Sequence, residues 1–101
     1  MPSPIEGSEF SVGEKRTLSF VNKFNTSGLN MTGKFENLTT GNNTQFNNSQ
    51  ITITNNDIGS LSISSNFAEA GEYLAQFRGA SANNTNIYYG PVFSFRVQTP
   101  L

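Results

Sequence analysis

Apolar and polar residues alternate along short stretches of this 101-residue chain, and clusters of Asn, Ser, Thr and Gly separate the stretches. A period of two places every second side chain on one face of a β-strand, and short strands at regular spacing are typical of a β-sandwich. Helical spacing extends no further than a single turn, which we expect at Ala68–Gly71. The pattern predicts strands over Glu9–Val12, Arg16–Val21, Leu29–Phe35, Glu36–Thr40, Gln50–Thr54, Ser60–Ser64, Glu72–Arg78 and Tyr88–Val97, with Thr44–Phe46 as a further short strand or part of a loop.

The predicted strands supply one hydrophobic core, which is what a chain of this length can build. We therefore expect an all-β sandwich of eight or nine strands over residues 8–98. Residues 1–7 are expected to form a disordered lead-in, and residues 99–101 the start of a linker. Pro91 cannot donate a ladder hydrogen bond, so it predicts a kink in the last strand. Aromatic rings dominate the predicted core, which includes Phe20, Phe35, Phe67, Tyr73, Phe77, Phe93 and Phe95.

The charged residues are few and scattered. Six basic and seven acidic residues give a net charge of −1, and Lys and Arg form no cluster. Binding to nucleic acid or to an anionic membrane surface needs such a cluster. No run of about eighteen apolar residues is present to span a membrane. We expect a protein partner, and no direct contact of this domain with nucleic acid or membrane.

The residue types that carry most enzymatic chemistry are missing. The chain has no Cys and no His, which excludes thiolate and His-based nucleophilic sites and the commonest metal ligands. Glu69 and Glu72 stand three residues apart, but a structural role at a strand corner explains them better than catalysis. We therefore expect no enzyme, no cofactor and no metal site.

Fourteen Asn, twelve Ser and ten Thr make the polar content largely uncharged. Six positions have the N-glycosylation pattern Asn-x-Ser/Thr, more than this composition would give by chance. The excess favours an extracellular glycoprotein, although an Asn-rich composition alone remains the alternative. The candidate glycosylation sites are Asn25, Asn30, Asn37, Asn42, Asn47 and Asn83.

Two short segments carry a family resemblance. Glu69-Ala70-Gly71-Glu72-Tyr73-Leu74-Ala75 resembles the Asp-x-Gly-x-Tyr-x-Cys signature of immunoglobulin domains, and Gly13–Phe20 resembles their Gly-x-x-x-Thr-Leu-x-Cys strand. The resemblance implies an immunoglobulin-like sandwich, and the long connection between the third strand and Gln50 favours the variable type. Four residues are then structural: Gly71 and Tyr73 form a tyrosine corner, while Phe20 and Ala75 take the two cysteine positions.

The resemblance implies that packing replaces the missing disulfide. A large ring opposite a methyl group is a pair of complementary volumes, so Phe20 and Ala75 can close the core without a covalent bond. Variable-type domains often pair the acidic residue at the Glu69 position with an Arg. No Lys or Arg lies between Lys34 and Arg78, so that ion pair is either lost or replaced by another partner.

A chain that combines these features with no Cys and no Trp is similar to the N-terminal domains of the Alr allorecognition receptors of colonial hydroids. This resemblance implies the ectodomain of a cell-surface membrane protein that binds the same domain, or a related receptor, on an opposing cell. A structural spacer of a microbial or phage surface protein, and a carbohydrate-binding sandwich that stacks sugars on Tyr88 and Tyr89, are the alternatives. The candidate partner-binding residues on the sheet face are Thr32, Lys34, Leu74, Gln76, Arg78, Tyr88, Tyr89 and Arg96.

Overall fold

The computed structural model describes residues 2–55, 57 and 60–101. These residues form nine β-strands and no helix. The strands are β1 (Glu9–Ser11), β2 (Lys15–Val21), β3 (Asn30–Asn37), β4 (Asn43–Phe46), β5 (Ile51–Asn55), β6 (Ser60–Asn66), β7 (Gly71–Ala80), β8 (Ile87–Tyr89) and β9 (Phe93–Gln98).

The strands form two sheets. The larger sheet has the order β1-β9-β7-β3-β4, with β8 also paired to β7, and the smaller sheet has the order β2-β6-β5. Every pairing is antiparallel except that of β1 with β9, which is parallel. The predicted all-β, immunoglobulin-like sandwich of the variable type, without a disulfide, is confirmed.

Two local predictions were wrong. Glu36 and Asn37 extend β3, and residues 38–40 form a turn, so no strand covers Glu36–Thr40. The strand beside β3 is β4, which pairs from Glu36↔Asn43 to Gly33↔Phe46. The expected helical turn at Ala68–Gly71 is a bend that leads directly into β7. Neither segment offers a periodic apolar face, so local residue preferences predicted its conformation poorly.

The last predicted strand is divided at Pro91. β8 pairs with the end of β7 through Arg78↔Tyr89, and β9 pairs with the beginning of β7 through Ala75↔Phe93. Residues 90–92 lie between the two strands and belong to neither.

Residues 2–7, expected to form a disordered lead-in, instead contact both sheets. The carbonyl oxygen of Pro2 accepts a hydrogen bond from the Ser94 amide of β9, and the Ile5 amide donates to the Ser19 carbonyl of β2. The Glu6 carboxylate accepts a further bond from the Ser19 amide at 2.8 Å. The segment therefore covers part of the edges of β9 and β2. Met1 lies outside the described residues.

Aromatic rings fill the space between the sheets. Phe20 is fully buried, and its ring centroid lies 4.8 Å from that of Phe93, 5.0 Å from Phe77 and 6.0 Å from Phe35. Ala75, on the facing sheet, pairs in register with both Phe35 and Phe93. The small side chain of Ala75 thus lies between two rings that Phe20 contacts, in agreement with a core closed by complementary volumes.

Candidate protein-binding face

The corner before β7 fixes the strand that runs through the middle of the larger sheet. The Tyr73 hydroxyl donates to the Glu69 carbonyl oxygen at 2.7 Å, which is the bond of a tyrosine corner. Gly71 has a φ of 150°, and a Cβ at this position would collide with the Asn37 side chain. Both residues therefore have the structural roles that the sequence assigned to them.

The acidic residue of this corner has an amide partner. The Asn42 side-chain nitrogen donates to both carboxylate oxygens of Glu69, at 2.8 and 3.1 Å. This contact links the β3–β4 turn to the corner, and it takes the place of the ion pair with Arg that the resemblance to variable-type domains implied.

Burial raises the pKa of the Tyr73 phenol above its ordinary value of 10.0, because the phenolate loses solvation. A hydrogen bond with Asn37 acts in the opposite direction, and the negative charge of Glu69 adds to the increase. At alkaline pH the unfolded chain loses the Tyr73 proton before the folded chain does. The stability that this proton confers is complete below pH 10 and is lost as the pH rises through the folded pKa.

Replacement of Tyr73 by Phe should therefore lower stability at neutral pH but make it less sensitive to alkali. Loss of the hydroxyl bond is expected to cost about 0.5–1.5 kcal/mol near neutral pH. Urea unfolding at about pH 8 and about pH 11 measures both effects, since linkage ties the pH slope to the bound proton. The matched control is Tyr89→Phe, which removes an exposed hydroxyl with no hydrogen bond among the described residues. An alkaline slope equal to that of the unaltered chain would contradict this role of Tyr73.

The outer face of the larger sheet brings most of the predicted partner-binding residues together. Register places Thr32 beside Arg78, Lys34 beside Gln76 and Glu36 beside Leu74. Since side chains alternate between the two faces of a strand, these three pairs point away from the core, whose residues Met31, Gly33 and Phe35 are buried.

This face contains a shallow depression of about 530 Å³. Its apolar contributions come from Leu74, Ala75, Val92 and the ring of Tyr89, which is 64 % exposed. The remaining side chains around it are polar or charged: Thr32, Lys34, Glu36, Gln45, Gln76 and Arg78.

Charges of both signs border the depression without being neutralised there. Among the described residues, the side chains of Lys34, Glu36 and Arg78 make no hydrogen bond or ion pair. Arg78 belongs to the pair nearest β8, Lys34 to the middle pair, and Glu36 to the pair farthest from β8. The face is therefore positive at one end and negative at the other.

Two of the predicted partner-binding residues, Tyr88 and Arg96, do not line the depression. Tyr88 pairs with Gly79 and so points to the opposite side of β8 from Tyr89; its ring stacks on Phe24 at 5.5 Å. Arg96 is on the outer face but beyond the depression, where it forms an ion pair with Glu72 at 2.8 Å.

The candidate glycosylation sites differ in exposure. Asn25, Asn30, Asn42, Asn47 and Asn83 are exposed. Asn37 is 1 % exposed, its amide nitrogen donates to the Ala70 carbonyl, and its amide oxygen accepts from the Thr39 and Thr40 amides. A glycan on Asn37 is incompatible with this packing, so the prediction of Asn37 as a glycosylation site was wrong. Asn30, the first residue of β3, is the candidate closest to the depression along that strand.

Sequence reasoning also missed a second buried amide, Asn22. Its side-chain nitrogen and oxygen are both buried without a hydrogen-bond partner among the described residues. Its oxygen occupies the space that a Cβ at Gly90 would need. Asn is mostly an exposed, turn-forming residue, so no signal in the chain marked either Asn22 or Asn37 as interior.

The described residues contain no group of three or more His, Cys, Asp or Glu arranged to hold a metal ion. Nor does any helix in the described part of the chain have the length and apolar character that a membrane crossing requires.

Comparisons with known proteins find a similar fold but identify no family. No family model matches the chain, and no curated protein does. The structure is similar to that of CopC from Methylosinus trichosporium OB3b, with a TM-score of 0.61 and 13% sequence identity. The similarity covers 98% of this chain and 92% of CopC. At this identity the likeness concerns the β-sandwich alone.

Proposed function

We propose that this chain is an extracellular recognition domain that binds a second copy of itself, on an opposing cell, through the outer face of the larger sheet. The observation that carries the proposal is the depression bordered by Lys34, Glu36 and Arg78, whose charges have no partner among the described residues. Charged side chains held on a rigid sheet around a concave surface are available to an incoming protein, and the exposed ring of Tyr89 is of a type enriched at binding hot spots.

The charge arrangement favours a copy of the same face as the partner. Homodimers are usually related by a two-fold axis, which places one patch against itself in reversed orientation. A two-fold axis that lies in the face and runs across the strands brings Lys34 over Glu36 of the second copy, and Glu36 over its Lys34. A face of one sign would repel its copy, whereas this face is complementary to itself.

The glycosylation pattern is compatible with contact at this face. The buried Asn37 cannot present a glycan there, and Asn25, Asn42, Asn47 and Asn83 lie in turns or loops outside the strands. Asn30 is the exception, since it lies on β3 two residues from Thr32. Contact therefore requires Asn30 to be unmodified or its glycan to lie at the margin.

No observation favours the two alternatives to the same extent. A sugar-stacking platform needs both tyrosines on one surface, and Tyr88 and Tyr89 point to opposite sides of β8. A spacer with inert surfaces does not account for the charges around the depression. The lack of His and Cys in the sequence supports a binding role over an enzymatic one.

A charge exchange between two bead populations tests the proposal. We expect Lys34→Glu and Glu36→Lys each to abolish aggregation of beads coated with the single variant, because like charges then meet across the two-fold axis. Mixed populations of the two variants should aggregate again. Lys15→Glu is the matched control: it reverses an exposed charge on β2, in the other sheet, and should leave aggregation unchanged.

Failure of the mixed populations to aggregate, with both single variants inactive, would contradict the proposed two-fold contact. If beads coated with the unaltered domain do not aggregate, homophilic recognition itself is wrong.

A further inference from the structure

Strand β8 is an open edge of the larger sheet. It pairs with β7 on one side and with no other described strand. β1 pairs with residues 96–98 of β9, and the Pro2 carbonyl accepts a hydrogen bond from the Ser94 amide of the same strand. Residues 5–6 cover the edge of β2 at Ser19. The N-terminal segment therefore protects two edges and leaves that of β8 free.

The hydrogen-bond register shows which backbone groups of β8 are free. The Gly90 amide donates to Phe77, and the Ser81 amide donates to Asn86. In an antiparallel pair the bonded residues alternate along the strand. The N–H and C=O groups of Ile87 and Tyr89 thus point away from β7, and they form a row of two donors and two acceptors.

The side chains on this edge are apolar or aromatic. Ile87, Tyr88 and Tyr89 are 44 %, 43 % and 64 % exposed, although each is a large residue. Natural proteins usually protect a free edge with charged side chains, Pro, bulges or a covering segment. β8 contains no charged residue, and its protection is limited to its short length and to Pro91 beyond its end.

We propose that β8 pairs with β8 of a second copy of this chain, antiparallel and across a two-fold axis at Tyr88. In this register Ile87 of each copy lies opposite Tyr89 of the other, and the free groups of both residues form four backbone hydrogen bonds. The side-chain pairs are β-branched against aromatic on one face and Tyr88 against Tyr88 on the other. These are favourable cross-strand combinations in antiparallel sheets.

A second copy suits this edge better than an unrelated peptide. An antiparallel edge with alternating free groups is complementary to itself under a two-fold rotation. β8 itself carries no charge, so the strands meet without repulsion. The contact uses the backbone edge of β8 and shares only the Tyr89 side chain with the outer face, since Lys34, Glu36 and Arg78 lie on other strands. It therefore holds whether or not those charged residues bind a partner.

Sedimentation equilibrium of the unglycosylated protein, produced in bacteria, tests the contact. We expect a monomer–dimer equilibrium with a dissociation constant of about 0.1–1 mM, because a three-residue edge buries less than a stable interface does. Ile87→Lys places a charge on the edge in both copies and should weaken dimerisation about tenfold or more. Thr52→Lys, an exposed position on β5 of the other sheet, is the control and should not change it.

Amide hydrogen exchange of the unaltered protein gives a second readout that does not depend on a variant. The amides of Ile87 and Tyr89 should become protected as protein concentration rises, while protection of the Gly90 amide, already bonded to Phe77, should not change. A protein that stays monomeric at every concentration up to about 1 mM would overturn the proposal, because even a weak contact of this size is detectable at that concentration. So would a dimer that Ile87→Lys leaves intact.

Different substitutions distinguish the contact through the outer face from the contact through β8. Lys34→Glu should abolish bead aggregation and preserve the soluble dimer, and Ile87→Lys should do the reverse. A soluble dimer that is lost with Lys34→Glu and retained with Ile87→Lys would assign self-association to the outer face and refute the edge contact.

Discussion

Replacement of Phe20 by Ala is expected to lower the free energy of unfolding by about 3–5 kcal/mol. The ring of Phe20 is fully buried and lies within 6.0 Å of three other rings, so its removal loses apolar burial and aromatic contacts together and leaves a cavity. Since small domains have a total stability of about 5–15 kcal/mol, this is a large share. Urea unfolding followed by far-UV circular dichroism gives the value.

Val21→Ala is the control for Phe20→Ala. Val21 is the next residue of β2, points to the opposite face and is 45 % exposed, so its truncation should cost less than about 1 kcal/mol. Similar losses for the two variants would show that Phe20 does not occupy the centre of the core. The idea that aromatic packing takes the place of a disulfide would then be wrong.

Replacement of Asn37 by Ala is expected to destabilise the domain by about 2–4 kcal/mol, although Asn is usually a surface residue. The variant loses the bond to the Ala70 carbonyl and those from the Thr39 and Thr40 amides, and it opens a void beside Gly71. Because these bonds connect the β3–β4 turn with the corner before β7, the loss affects two segments together. Thermal and urea unfolding measure it.

Asn30→Ala provides the comparison for Asn37→Ala. Asn30 is the exposed first residue of the same strand and has the same sequence pattern for glycosylation, and its truncation should change stability by no more than about 0.5 kcal/mol. Equal effects at the two positions would mean that the Asn37 amide does not support the corner.

The sequence predicts the strands of the core well and the polar edge poorly. β2, β6, β7 and β9 alternate between buried apolar and polar positions, and that alternation is a direct consequence of packing one face of a strand. β4 has no such pattern, since Asn43, Thr44 and Gln45 are all exposed and only Phe46 packs inward. An edge strand that contributes one side chain to the core leaves almost no periodic signal.

The residues of the candidate binding face could be predicted from the sequence only where the strand register could be predicted. Thr32, Lys34, Leu74, Gln76 and Arg78 follow from alternation along two long strands. The opposite directions of Tyr88 and Tyr89 depend on how the short β8 pairs with β7 after the break at residues 90–92, and the sequence does not determine that. The burial of Asn37 depends on a contact with Ala70, 33 residues away, which local pattern cannot report.

The parallel pairing of β1 with β9 also has a mechanical consequence. Tension that separates the two ends of the chain pulls the start of β1 and the end of β9 in opposite directions along their common axis. The rungs from Glu9↔Arg96 to Ser11↔Gln98 are then loaded in shear and must rupture together, whereas an antiparallel terminal pair would unzip one rung at a time. A domain built in this way resists stretching first at its termini, before force reaches the aromatic interior.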